Sequence, residues 1–121
     1  MIALKHHKGM SIDRWFSFSI AMQLANVSSE VGRTFIAKRA GLLEDARLAC
    51  ERALELMALT LADPKNKKRR RELLRARSGF ADHVLGINEW QSTDEQWENY
   101  FHQFGYAAAL ERQQARMAKL G

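Results

Sequence analysis

Apolar residues recur at helical spacing along almost the whole chain. Phe16, Ile20, Leu24, Val27, Val31 and Phe35 form one stripe of period 3.6. A first helix is therefore predicted from Ser11 or Asp13 to about Ala40, with Gly41 as its stop. A second helix, Leu42 to about Ala62, turns Leu42, Ala46, Ala49, Cys50, Ala53, Leu56, Met57, Thr60 and Leu61 to one side and Arg47, Glu51 and Glu55 to the other. Asp63-Pro64 then reads as an N-cap followed by proline at the first position of a third helix. That helix carries Leu73, Leu74, Phe80, Ala81, Val84 and Ile87 and ends near Gly86. Ser92 to Gln96 reads as a capping box, Ser92 with Glu95 or Thr93 with Gln96. It opens a fourth helix that buries Trp97, Tyr100, Phe101, Phe104 and Ala108 and frays after Met117. Connections of a few residues force neighbouring helices antiparallel. The predicted fold is all-α, an antiparallel up-down-up-down four-helix bundle forming one domain over residues 1–121. Residues 1–10, polar and rich in His and Lys, read as a flexible tail.

The first helix holds no charged residue between Arg14 and Glu30. Besides its core stripe it has a second apolar face of Phe18, Met22, Ala25, Gly32 and Ile36, with small residues that let another helix approach. A face of that size is a liability if left bare. The expectation is a homo-oligomer joined through these five positions.

Charge changes the picture at one place. From Lys65 to Arg77 there are eight cations and one acid, Glu72, a charge of +7 in a chain whose total is +5. The remainder carries −2, so the cationic excess is a single patch. Such a patch implies an anionic partner, with nucleic acid the first candidate and an acidic protein the alternative. On a helical wheel Lys68, Arg71 and Arg75 point outward, flanked by Lys65. Arg70 and Arg77 fall near the apolar side and are expected to pair with acids such as Glu30 or Glu55. The expected phosphate contacts are Lys65, Lys67, Lys68, Arg69, Arg71 and Arg75. No base-reading pattern is visible, so charge and shape are expected to outweigh sequence, with RNA favoured.

Catalytic signals are sparse. Arg77-Ser-Gly-Phe-Ala-Asp-His83 resembles the loose Arg-x(4–6)-His pattern of the helical nuclease-type domains called HEPN, which implies metal-independent RNA cleavage by Arg77 and His83. Against it, residues six apart on one helix point about 120° away from each other. A carboxylate-bridged di-metal centre requires two Glu-x-x-His pairs; Glu98 and His102 are four apart and have no second pair. No metal or cofactor is expected. Cys50 lies on a core stripe and has no partner for a disulfide. No stretch has the roughly 18 apolar residues of a membrane span. The expectation is a soluble cytoplasmic protein that is not an enzyme.

Asn26-Val27-Ser28-Ser29-Glu30-Val31-Gly32-Arg33 resembles the Asn-Ile-Ala-Glu-Gly segment of a bacterial four-helix-bundle family. Its members are proteins encoded in ribosomal-RNA intervening sequences and the accessory proteins of diversity-generating retroelements. Asp45 to Leu56 is similar to the Ala- and Leu-rich third-helix pattern of that family, whereas Gln23-Leu24-Ala25 stands where the family has Ser-Ile-Pro. The resemblance implies a ring-like homo-oligomer, pentameric in several members. It also implies a basic surface that serves RNA or a nucleic-acid enzyme such as a reverse transcriptase.

Overall fold

A computed structural model of the chain describes residues 4–120, and the regular structure in that range is entirely helical. It comprises α1 (Ile12–Ser17), α2 (Ile20–Arg39), α3 (Leu43–Ala62), a 3₁₀ turn (Pro64–Arg69), α4 (Arg70–Leu85) and α5 (Asp94–Leu120). Four of the five α-helices are long.

The predicted first helix is in fact two. Ser11 Oγ caps α1 by accepting the Arg14 N–H, and Ser19 Oγ caps α2 by accepting the Met22 N–H. Between them Phe18 is extended, and the Trp15 carbonyl accepts from Gln23 Nε2 at 2.9 Å. The break swings Trp15, rather than Phe16, into the core. Trp15 is 1% exposed, with its indole N–H 3.3 Å from Thr60 Oγ1 and its ring edge-on to Phe18.

α2 ends as its glycine predicts. Gly41 has φ +77°, and Gly41 N–H and Leu42 N–H donate to the carbonyls of Lys38 and Ala37. Arg52 of α3 reaches Glu30 of α2 at 3.0 Å. Arg70 and Arg77 of α4 donate to the Leu61 and Leu54 carbonyls of α3. α5 runs back along α2: Lys38 meets Asp94 and Arg39 meets Glu98 at one end, and Ser19 meets Glu111 at the other. The capping box is Thr93 with Gln96, each backbone N–H donating to the other side chain.

Between the four long helices lies one apolar core: Leu24, Val27, Val31 and Phe35 of α2, Cys50, Ala53, Leu56 and Met57 of α3, Leu73 and Phe80 of α4, Phe101 and Phe104 of α5. Phe80 lies edge-on to Phe35, Trp97 and Phe101, joining α4 to α2 and α5. Burial pushes the Cys50 thiol up to about 12, so it behaves as a small apolar side chain.

Residues 4–10, expected as a loose tail, are instead docked. The backbone N–H groups of Lys5, His6 and His7 donate to the Glu55 carboxylate, and His6 Nε2 lies 3.1 Å from Glu51 Oε1. Residues 1–3 of that segment lie outside the described residues. No described helix is long and apolar enough to cross a membrane.

Candidate nucleic-acid interface

The basic run does not start on α4. Its first members lie on the 3₁₀ turn, because Asp63 accepts the Lys65 N–H and Pro64 opens a tight turn. Under this turn sits a buried polar network. Gln23 Nε2 donates to Asp63 Oδ2, and Asn66 Nδ2 donates to Gln23 Oε1 and to the Thr60 carbonyl, all at 2.9 Å. Asp63 is 4% exposed. Burial alone raises its pKa, but the hydrogen bonds from Lys65 and Gln23 outweigh that and hold it below the usual carboxylate range. The network fixes where the cations emerge.

The structure divides the cations by what they touch. Lys65 Nζ is held by Asp63 and by the Phe16 carbonyl, so this expected phosphate ligand closes the α1–α2 break instead. Arg69, another expected ligand, grips Glu72 through two nitrogens and lies over the Phe104 ring at 5.4 Å. Glu72 also accepts from Tyr100 Oη at 2.9 Å. The Arg69 bond is the main cause that lowers the Glu72 pKa, and burial is the main cause that raises that of Tyr100. Arg70 and Arg77 do take structural partners, but these are backbone carbonyls rather than Glu30 or Glu55. Glu30 is occupied by Arg33 and Arg52, and Glu55 by the N-terminal segment.

Lys67, Lys68, Arg71 and Arg75 are exposed, and among the described residues none has a hydrogen-bonding or ion-pair partner. Lys68, Arg71 and Arg75 follow one another along the outer side of the turn and α4.

Arg77 and His83 do not converge. Arg77 is directed at α3, whereas the His83 side chain is 5% exposed and faces the start of α5. His83 Nε2 lies 2.6 Å from Asp94 Oδ1, and its Nδ1 lies 3.2 Å from Ser92 Oγ. Ser92, His83 and Asp94 thus touch in the order of a hydrolytic triad, which the sequence reading missed. The Ser92 hydroxyl, however, also accepts from the Trp97 indole N–H at 2.9 Å and lies 3.1 Å from Asn88 Oδ1. A nucleophile needs a free approach to its oxygen. This cluster is boxed in, and it locks the α4–α5 loop.

The five expected self-association residues fare unevenly. Phe18 packs on Trp15 within its own subunit. Met22 and Ala25 line a cleft with Gly105 and Arg112 of α5, and Arg112 reaches the Met22 sulfur at 3.9 Å. Gly32 is half-buried, and Ile36 is 69% exposed. A larger cleft of about 530 Å³ lies below the N-terminal segment, lined by His7, Met10, Arg14, Trp15 and Phe18, away from the cations.

No family model matches the chain. No curated protein and no solved structure matches it either.

Proposed function

We propose that this chain is an antiparallel four-helix bundle, α2 to α5 running up-down-up-down, that binds nucleic acid without acting on it chemically. Lys67, Lys68, Arg71 and Arg75 supply the phosphate contacts, and RNA is the favoured partner. One observation carries the reading. Within a run of like charges, some cations are neutralised or turned onto carbonyls, while these four are left facing solvent without partners. Like charges held this close repel, and an anion relieves the repulsion. The surface carries no arrangement for reading base edges, so affinity comes from phosphates and falls with salt. An accessory role beside a nucleic-acid enzyme, as the sequence resemblance implies, is compatible with such a surface. A cytoplasmic setting fits the single unpaired cysteine.

The charge-reversed triple variant Lys68→Glu, Arg71→Glu, Arg75→Glu tests it. The variant is expected to keep its helical circular dichroism and to lose RNA binding at moderate salt. Undiminished binding by the folded triple variant would overturn the assignment.

Self-association belongs to the proposal in narrower form. Ile36 is the one large side chain of the expected face that stays mostly exposed, and a second copy is the occupant proposed for it.

A further inference from the structure

Arg75, the last of the four unpaired cations along the 3₁₀ turn and α4, borders a shallow cleft of about 290 Å³ lined by Glu72, Arg75, Ala76, Trp90, Trp97 and Tyr100. Trp90 is 56% exposed. An exposed tryptophan on a slack loop means little, but this one has a built seat. Beneath it α4 carries Gly79, where a Cβ would stand 2.6 Å from Trp90 Cζ3 and 2.8 Å from Trp97 Cη2. Glycine in mid-helix weakens the helix relative to alanine, and here the missing methyl is the space the ring fills.

The loop is held as firmly from its other side. Asn88 and Gln91 adopt left-handed φ of 53° and 52°, a conformation that asparagine takes readily and glutamine rarely. Asn88 Nδ2 donates to the Ser92 carbonyl, and the Ser92 N–H donates back to Asn88 Oδ1. Ser92 is in turn fixed by Trp97 and His83. The ring is thus held in place with much of its surface open to solvent.

We propose that Trp90 is a stacking platform for an unpaired base of a single-stranded nucleic acid, with Arg75 bridging from that base to the phosphates along Lys68 and Arg71. This rests on the phosphate-binding reading above and names the form of nucleic acid. Charge complementarity selects the occupant. An apolar ring beside an unpaired cation suits a flat aromatic group attached to a phosphate. The one acid in the cleft, Glu72, is already held by Arg69 and Tyr100. Any base offers a π-face, so the platform is indifferent to sequence, and a base paired within a duplex is not available to it.

The test compares a fluorescein-labelled single-stranded RNA 12-mer with an abasic strand of equal phosphate number, by anisotropy. The wild type is expected to bind the RNA about tenfold more tightly than the abasic strand. Trp90→Ala should erase that difference and keep the abasic affinity. Gly79→Ala, which displaces the ring without removing it, should do the same in part. Tryptophan emission should be quenched by the RNA, not by the abasic strand, and the quenching should vanish in Trp90→Phe.

Equal binding of both strands by the wild type, or a Trp90→Ala variant that still prefers RNA, would overturn the platform while leaving the phosphate reading intact. Binding of neither strand would overturn both. Poly-glutamate bound as tightly as RNA would overturn the platform in favour of an acidic protein partner.

Discussion

Asp63 and Asp94 are the carboxylates that hold the 3₁₀ turn and the start of α5 in place. For each, burial raises the pKa and hydrogen bonds lower it further than burial raises it, from Lys65 and Gln23 at Asp63 and from Lys38 and His83 at Asp94. A depressed folded pKa means the unfolded chain takes up protons first as pH falls. Their contribution is therefore complete above the ordinary value of 3.8 and is lost as pH falls through the lower folded values. Urea midpoints measured from pH 7 down to pH 2 should decline in that window. Asp63→Asn, which keeps the shape and drops the charge-assisted bonds, should cost about 2 kcal/mol at pH 7 and flatten part of the decline. Which cations are spent internally was not legible from sequence. Lys65, Arg70 and Arg77 all donate to backbone carbonyls, of Phe16, Leu61 and Leu54, and a carbonyl has no residue signature. The wheel did set Arg70 and Arg77 apart from Lys68, Arg71 and Arg75, because helical phase turns those two toward α3, although Arg70 stays exposed.

The 3₁₀ turn is the element that aims the cations, and Gln23 is the side chain that joins it to α2. Gln23→Ala would leave Asp63 and Asn66 each short of a buried partner, at a cost of about 1–3 kcal/mol by thermal or urea denaturation. Removing the exposed Arg69–Glu72 pair should cost less, about 0–1 kcal/mol. The long helices were readable because Leu24, Val27, Val31 and Phe35, and their counterparts on α3, α4 and α5, keep a steady period. The α1–α2 break was not, because the apolar spacing runs on through it. Its cause is a pair of serine caps, Ser11 and Ser19, and a tryptophan one position away from the expected stripe. A serine is common enough on either side of a break that it marks one only once the chain's path is known.

For the whole molecule, α5 lies along part of the face that the sequence assigned to a second copy, at Met22 and Ala25. The uncharged stretch from Trp15 to Ser29 is met by α5 through Glu111 and Arg112. Its exposed positions, Ser17, Asn26 and Ser29, are small and polar rather than apolar. Light scattering after size exclusion tests what is left of the self-association face. Ile36→Glu should lower the molecular mass to that of one chain, and an unchanged oligomer would show that copies join elsewhere.

The central claim is that four unpaired cations hold phosphates, and counterion release counts them. Single-stranded RNA binding should be measured from about 50 to 200 mM salt as log K against log salt. With Lys67, Lys68, Arg71 and Arg75 each neutralising one phosphate, the expected slope is about −2.8, falling toward −0.7 in the Lys68, Arg71, Arg75 charge-reversed protein if any binding survives. A slope near zero in the wild type, or the same slope in both proteins, would contradict the account.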